Sequence, residues 1–401
     1  MTPFVQELLV LASIPITSAV VGWGTNVLAL KMTFYPVDYV GVRPIGWQGI
    51  IPAKAESMAR RTVELITTKL VGVDEVIDRL DPDRVADALA PAFAPHLKRI
   101  VNTTLKSTHP ELWALVPNAV KDEIYASVEA KAPEVVRQSV IDLKLEVDQL
   151  IDLEHMAVQA LLADRAFLNQ IFLECGREEF KFIEKSGFYF GFAFGLVVMG
   201  LWAFFQALWI LPTVGFLIGW ATNYLALKMI FEPVEPKRIF GWTWQGSFLK
   251  RQDEVSEAYS RLIAQNIVNT RNLLKTLMDG PGTTRLLEIV DGHVKDVAAT
   301  YNALPDAVTT VFIGGEAYEA LKHTIADEIV ASVTDGPIFA VQNYAHGAMD
   351  IENTLHERLV ALPPDQFTGL LRPIFQEDEW KLILVGAVLG LLVGFAQAWL
   401  M

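Results

Sequence analysis

The sequence predicts a mainly α-helical membrane protein with four spanning helices, built as a parallel tandem repeat whose halves each carry a mostly helical cytoplasmic domain. Three observations predict it: long stretches without charge, the distribution of basic residues around them, and a duplicated segment. The 401 residues are 52% hydrophobic and 20% charged, with a mean hydropathy of +0.32; soluble proteins carry about a quarter charged residues. A net charge of −14 leaves no basic surplus for phosphates, which argues against a general nucleic-acid binder. The single cysteine, Cys175, excludes an internal disulfide and cysteine-based metal clusters.

Residues 8–30, 186–227 and 382–401 contain no Asp, Glu, Lys or Arg. The first and last windows match the ~20 residues needed to cross a hydrocarbon core. The middle window spans 42 residues, roughly 63 Å as one helix, twice what a core of about 30 Å holds. It therefore reads as two crossings with a turn near 206–212, where Trp209 suits an interface and Pro212 a helix start. The expected crossings are about 8–31, 187–207, 210–230 and 382–400. Residues 1–7 contain one charge, Glu7, and no Lys or Arg, so the first crossing is expected to be an anchor rather than a cleaved signal.

Every basic residue lies between Lys31 and Lys381, and none lies between Lys185 and Lys228. Lys31, Arg43, Lys54, Arg60 and Arg61 follow the first crossing, and Lys181 and Lys185 precede the second. Lys228, Lys237, Arg238, Lys250 and Arg251 repeat that pattern after the third, and Lys381 precedes the fourth. The positive-inside rule then places segments 32–186 and 231–381 in the cytoplasm, with both chain ends outside.

Residues 15–54 align without a gap onto 212–251, with 16 of 40 positions identical. GWGTNVLALKM at 22–32 matches GWATNYLALKM at 219–229, and WQG at 47–49 matches WQG at 244–246. Such self-similarity is the mark of a duplicated structural unit. The first repeat is expected over 1–208, with soluble domain 32–186, and the second over 209–401, with soluble domain 231–381. Each half enters and leaves on one face, so the repeats are parallel and their pseudo-two-fold axis lies along the membrane normal.

Within the soluble parts, residues 56–70 space Met58, Val63, Ile66 and Leu70 along one helical face. Residues 82–107, 111–130 and 133–148 continue as helices punctuated at Pro82, Pro110 and Pro133. Asp152 and Asp350 read as N-caps. Pro281, Gly282, Pro305, Gly336-Pro337 and Pro363-Pro364 read as breaks. IDLKLEV at 141–147 alternates with period two and admits a short strand.

The duplicated polar residues are the candidate site. Asn26 and Asn223, beside Thr25 and Thr222, sit in hydrophobic helices. Two readings stand: a structural one, bonding across the two-fold-related helices or to opened backbone, and a polar lining for a solute or ion. Interfacial depth is a third. Lys31 and Lys228 read as snorkelling cations, with a pathway charge as the alternative. Trp23, Trp220, Trp47 and Trp244 read as packing or interface anchors. The apolar patch after each WQG, ending in a cation, admits a short collar on the inner leaflet. Gly187, Gly191 and Gly195, like Gly386, Gly390 and Gly394, recur every fourth residue. Such rows form a groove that admits another helix closely, either between the return helices or against the first crossings. Glu178-Glu179 and Glu377-Asp378-Glu379 read as solvated collars, and the seven histidines as structural.

The GW-x-TN-x-LALKM core, the following F-x-P-V, the WQG turn and the closing PIFQEDEWKLILVGAVLGLLVGFAQ resemble the bacterial membrane family known as domain of unknown function 445. The resemblance is carried by Gly22, Trp23, Thr25, Asn26, Lys31 and Phe34, with Gly219, Trp220, Thr222, Asn223, Lys228 and Phe231. It implies a G-W-x-T-N first crossing, a glycine-rich last crossing and a helical cytoplasmic region, and it implies no activity. GIIPAK at 49–54 becomes GSFLKR in the second copy, so Pro52 is not duplicated.

No glycine-rich phosphate loop, HExxH or nucleophile elbow occurs. The expected function is thus a non-enzymatic scaffold, tether or partner-binding protein, without cofactor or metal. The alternative is transport of a solute, ion or lipid through or along an oligomeric transmembrane assembly. The partners this reading admits are the lipid bilayer, a second copy of the chain and a cytoplasmic protein.

Overall fold

Four helices carry the uncharged stretches. They are Leu11–Phe34, Arg177–Phe204, Ile210–Phe231 and Glu379–Trp399, the helices among the described residues that are long and apolar enough to cross a membrane. The structure, a computed structural model, describes residues 3–42, 45–108, 110–205, 207–239, 241–300, 340–370, 372 and 379–400.

In chain order, α1 (Pro3–Phe34) leads into a hairpin of β1 (Val40–Val42) and β2 (Ile45–Trp47), then α2 (Ile50–Ala53) and α3 (Ala55–Leu65). A π-helical turn, Ile66–Leu70, precedes α4 (Val73–Asp78), α5 (Pro82–Thr108), α6 (Pro110–Leu115) and α7 (Asn118–Leu145). Next come α8 (Val147–Leu150), α9 (Leu153–Ala163), α10 (Arg165–Cys175) and α11 (Arg177–Phe204). The helix α12 (Ile210–Phe231) opens a second series: β3 (Lys237–Ile239), β4 (Trp242–Trp244), α13 (Ser247–Lys250), α14 (Gln252–Asn266), α15 (Thr270–Asp279) and α16 (Thr283–Thr300). Helices Gln342–Met349, Ile351–Ala361, Pro364–Thr368 and Glu379–Leu400 complete it. The turn expected at 206–212 falls between Phe204 and Ile210, with Trp209 exposed at the N-cap position of α12.

The chain divides into two compact units: Met1–Leu65 with Val158–Leu262 and Leu355–Met401, and Ile66–Ala157 with Ile263–Thr354. Each unit draws on both sequence halves. In the second unit α7 packs against both α5 and α16. Arg285 of α16 holds Glu146 through Nε and Nη2 at 2.6 and 2.7 Å, and this hydrogen-bonded pair lowers the Glu146 carboxyl below its usual range. His293 meets Asp142 at 2.8 Å, and Arg79 donates to Thr354 Oγ1 at 2.6 Å. Trp113 and Ile124 form a small core closed by Tyr125, edge-on to Trp113.

The first unit holds the four spanning helices. Leu11 and Ile14 of α1, Val198, Met199 and Trp202 of α11, Leu211, Val214 and Ile218 of α12, and Ala398 of the last helix share one apolar cluster. Phe34 packs edge-on against Phe180 with ring centroids 5.1 Å apart, and Phe248 lies between Phe231 and Phe367 at 5.8 and 5.0 Å.

Several local expectations are corrected. Pro133 does not end a helix; α7 runs through it, and packing along α5 and α16 holds the helix where one backbone bond is lost. The segment 141–145 is helical, not a strand: Leu145 is exposed while Val140 and Val147 are buried, which is helical rather than alternating burial. Asp152 does cap α9, accepting from the His155 N–H at 2.8 Å. Asp350 instead takes a left-handed conformation at φ 44° and accepts from the Asn353 side chain. Pro305, Gly336-Pro337, Glu377-Asp378, His109 and His323 lie outside the described residues.

Candidate functional site

The glycine rows lie on α11 and the last helix, and each row packs against the first crossing of its own half rather than against the other row. A Cβ placed on Gly191 would lie 2.5 Å from Ser18 O, and one on Gly195 would lie 2.7 Å from Pro15 Cα. Gly187 faces Gly22 in the same way. In the second pair Gly386 faces Gly219, Gly390 faces Gly215, and Gly394 faces Pro212 and Leu211. The backbones of each pair are therefore in direct contact, the geometry that small residues permit in a membrane. Gly22 and Gly219 stood out in the sequence only as motif residues and Gly215 not at all, because their place opposite the rows depends on how the helices pack.

Asn26 is fully buried in this contact, with its Nδ2 donating to the Ile183 carbonyl of α11 at 2.6 Å. Asn223 is 4% exposed, and its Nδ2 stands against Gly386. The Thr neighbours bond within their own helices: Thr25 Oγ1 to Gly22 O at 3.1 Å and Thr222 Oγ1 to Gly219 O at 3.3 Å. The bonding expected across the two-fold-related helices is thus not what occurs for Thr25, Thr222 or the Asn26 amide. Asn26 ties α1 to its own return helix, close to where that helix begins. Replacing Asn26 with Leu removes one intramembrane hydrogen bond, so the melting curve in detergent is expected to lose ~0.6–2 kcal/mol; unaltered melting would deny the bond any weight.

The remaining duplicated residues face outward or bind the chain locally. Trp23 and Trp220 are 48% and 45% exposed, with Trp220 stacked on Tyr224 at 5.3 Å. Lys31 is exposed, and Lys228 lies 5.6 Å over the Tyr224 ring and 4.0 Å from Glu232. The F-x-P-V and WQG motifs form one clamp. Gln48 Nε2 donates to Val37 O at 2.8 Å and the Gly49 N–H to Pro36 O at 2.9 Å. Gln245 and Gly246 do the same to Val234 and Pro233 at 3.2 and 3.0 Å. Both prolines follow cis peptide bonds, Tyr35-Pro36 and Glu232-Pro233. A side chain on Gly49 would strike the end of α1, 2.7 Å from the Phe34 carbonyl carbon. The apolar patches after each WQG do not lie as a collar on the leaflet, because Ile51 and Phe248 are fully buried within the protein.

The carboxylate collar before α11 is corrected as well. Glu178 is exposed beside Lys181, but Glu179 is buried and its Oε2 accepts from Arg251 Nη1 at 2.7 Å. Nothing in the spacing of Glu178 and Glu179 distinguishes them; the pairing depends on Arg251, at the junction of α13 and α14, reaching α11 from a distant part of the chain. Nearby Cys175 is buried, and burial pushes its thiol up to about 12. A maleimide is therefore expected to leave the native protein unmodified at neutral pH and to label it only after denaturation. Among the described residues no three His, Cys, Asp or Glu side chains gather as a metal site.

Relatives of this chain carry a shared description. It is 33% identical over 87 residues to a UPF0754 membrane protein of Geobacillus kaustophilus, covering 21% of this chain and 23% of that one. It is 23% identical over 178 residues to one of Bacillus velezensis, covering 42% and 45%. It is 27% identical over 145 residues to one of Microcystis aeruginosa, covering 34% of each. The relatives are UPF0754 membrane proteins. That description overturns the resemblance to domain of unknown function 445, since none of these relatives carries the latter name. The chain spans less than half the length of each of these three relatives. No family model and no solved structure matches it. With four helices able to span a bilayer, the chain is a multi-pass membrane protein.

Proposed function

We propose that this protein is a non-enzymatic scaffold or tether of the bacterial inner membrane, built from two parallel copies of one unit. Each copy is a crossing, a clamped hairpin, a helical segment and a return crossing, with repeats at 1–208 and 209–401. Both helical segments face the cytoplasm, and both chain ends lie on the opposite side. What supports the repeat is the recurrence of one local geometry: the glycine cradles, the Gln–Val clamps and the buried Asn appear in both copies. What supports a tether over a transporter is a single observation. The Asn26 side chain is fully buried, with its amide donating to a backbone carbonyl of the neighbouring helix, so it ties two helices together instead of lining a path.

Single-cysteine accessibility tests this reading, since the native thiol is buried. Asn26→Cys and Asn223→Cys are expected to resist small cationic thiol reagents from either side of native membranes, and proteoliposomes are expected to show no conductance. A photo-reactive residue at exposed Gln149 is expected to give a discrete adduct with a cytoplasmic protein in intact cells. Labelling of either cysteine together with conductance would replace the tether by a transport function.

A further inference from the structure

We propose that the β1–β2 hairpin is an apolar wedge that enters the lipid leaflet on the side where α1 ends. The pairing is Val40↔Trp47, Gly41↔Gly46 and Val42↔Ile45. All six paired residues are exposed, Trp47 at 38% less so than Val40, Val42 and Ile45, so most of the ribbon's apolar surface is left uncovered by the protein. Val42 and Ile45 are 79% and 85% exposed. An isolated two-stranded hairpin is at best marginal in water, and an exposed apolar strand edge there invites aggregation. This hairpin is nonetheless built deliberately. Gly41 takes φ +118°, and a Cβ there would strike Gly46 Cα at 2.6 Å, so the two glycines let the strands close.

Its position identifies what covers it. The last turn of a spanning helix ends at Phe34 and β1 begins at Val40. The clamp from Gln48 and Gly49 back to Val37 and Pro36 holds the ribbon at that depth. Tyr35, Tyr39 and Trp47, each at least 37% exposed, flank it, the amphipathic aromatics that concentrate at headgroup level. The sister hairpin leaves α12 in the same way and carries exposed Lys237 and Arg238 beside Trp244, a combination that suits anionic headgroups. The occupant is therefore lipid, continuous with the lipid around α1.

The full chain bearing Val42→Cys or Ile45→Cys, labelled with bimane in phosphatidylethanolamine–phosphatidylglycerol nanodiscs, tests this, with Gln149→Cys as the aqueous reference. The wedge predicts blue-shifted emission at 42 and 45, quenching by nitroxide lipids, and loss of the iodide quenching seen at 149. Iodide quenching at 42 and 45 equal to that at 149 would overturn it. So would disulfide-linked dimers formed through Val42→Cys without nitroxide-lipid quenching, which would assign the ribbon to a second copy of the chain.

Discussion

Gly191→Leu is expected to remove the protein from the membrane fraction. The glycine meets Ser18 O and the Ala19 backbone across the α1–α11 contact. Four added carbons have nowhere to go because the opposing surface is backbone, which cannot rotate aside as a side chain can. Overpacking of a filled site costs about 1–3 kcal/mol when neighbours adjust, and here the adjustment would be separation of the helices and of the Asn26–Ile183 bond beside them. Gly200→Leu on the same helix is the control, since nothing lies within 4 Å of a Cβ placed there. Gly200→Leu should melt and migrate as the native protein does, whereas Gly191→Leu should fail in both. Equal behaviour of the two variants would mean that the close approach is not what holds the pair.

Arg251→Met is expected to be nearly as damaging, through charge rather than volume. Its guanidinium pairs with a Glu179 side chain that is 4% exposed and also reaches Glu254. Removing one member of a buried pair leaves an uncompensated charge and costs about 3–5 kcal/mol. The lower end applies here because the Arg251 side chain is itself 23% exposed. Glu179→Gln in the same chain removes the orphaned carboxylate, so the double variant should recover most of the lost melting temperature. If Arg251→Met alone melts normally, water reaches Glu179 and the pair contributes nothing.

The four crossings were legible in the sequence because an uncharged run of sufficient length has few other uses, and because Lys31 and Lys228 mark where two of them end. The glycine rows were legible as packing surfaces for the same kind of reason, since spacing by four places residues on one helical face. Their partners were not. Whether a row on α11 meets α1 or the last helix depends on tertiary arrangement that periodicity does not encode. The clamp shows the same limit. Gln48 and Val37 are recognisable as repeated residues, but their hydrogen bond exists only because three-residue strands bring them together, and strands that short leave almost no periodic signal. Glu179 and Arg251 are 72 residues apart, so local charge patterning made each of them a surface residue. The helical segments of the two halves combine in one unit through pairs such as Glu146–Arg285, which neither half announces alone.

Membrane-impermeant thiol labelling of three single-cysteine variants decides the arrangement most directly. Trp209, in the turn between α11 and α12, should react from outside intact cells. Gln149 and Lys275, one exposed site from each helical segment, should react only once the membrane is opened. Reaction of either Gln149 or Lys275 variants from outside, or of both Trp209 and Gln149 from one face, would mean that the two copies do not cross the bilayer as a same-sided pair.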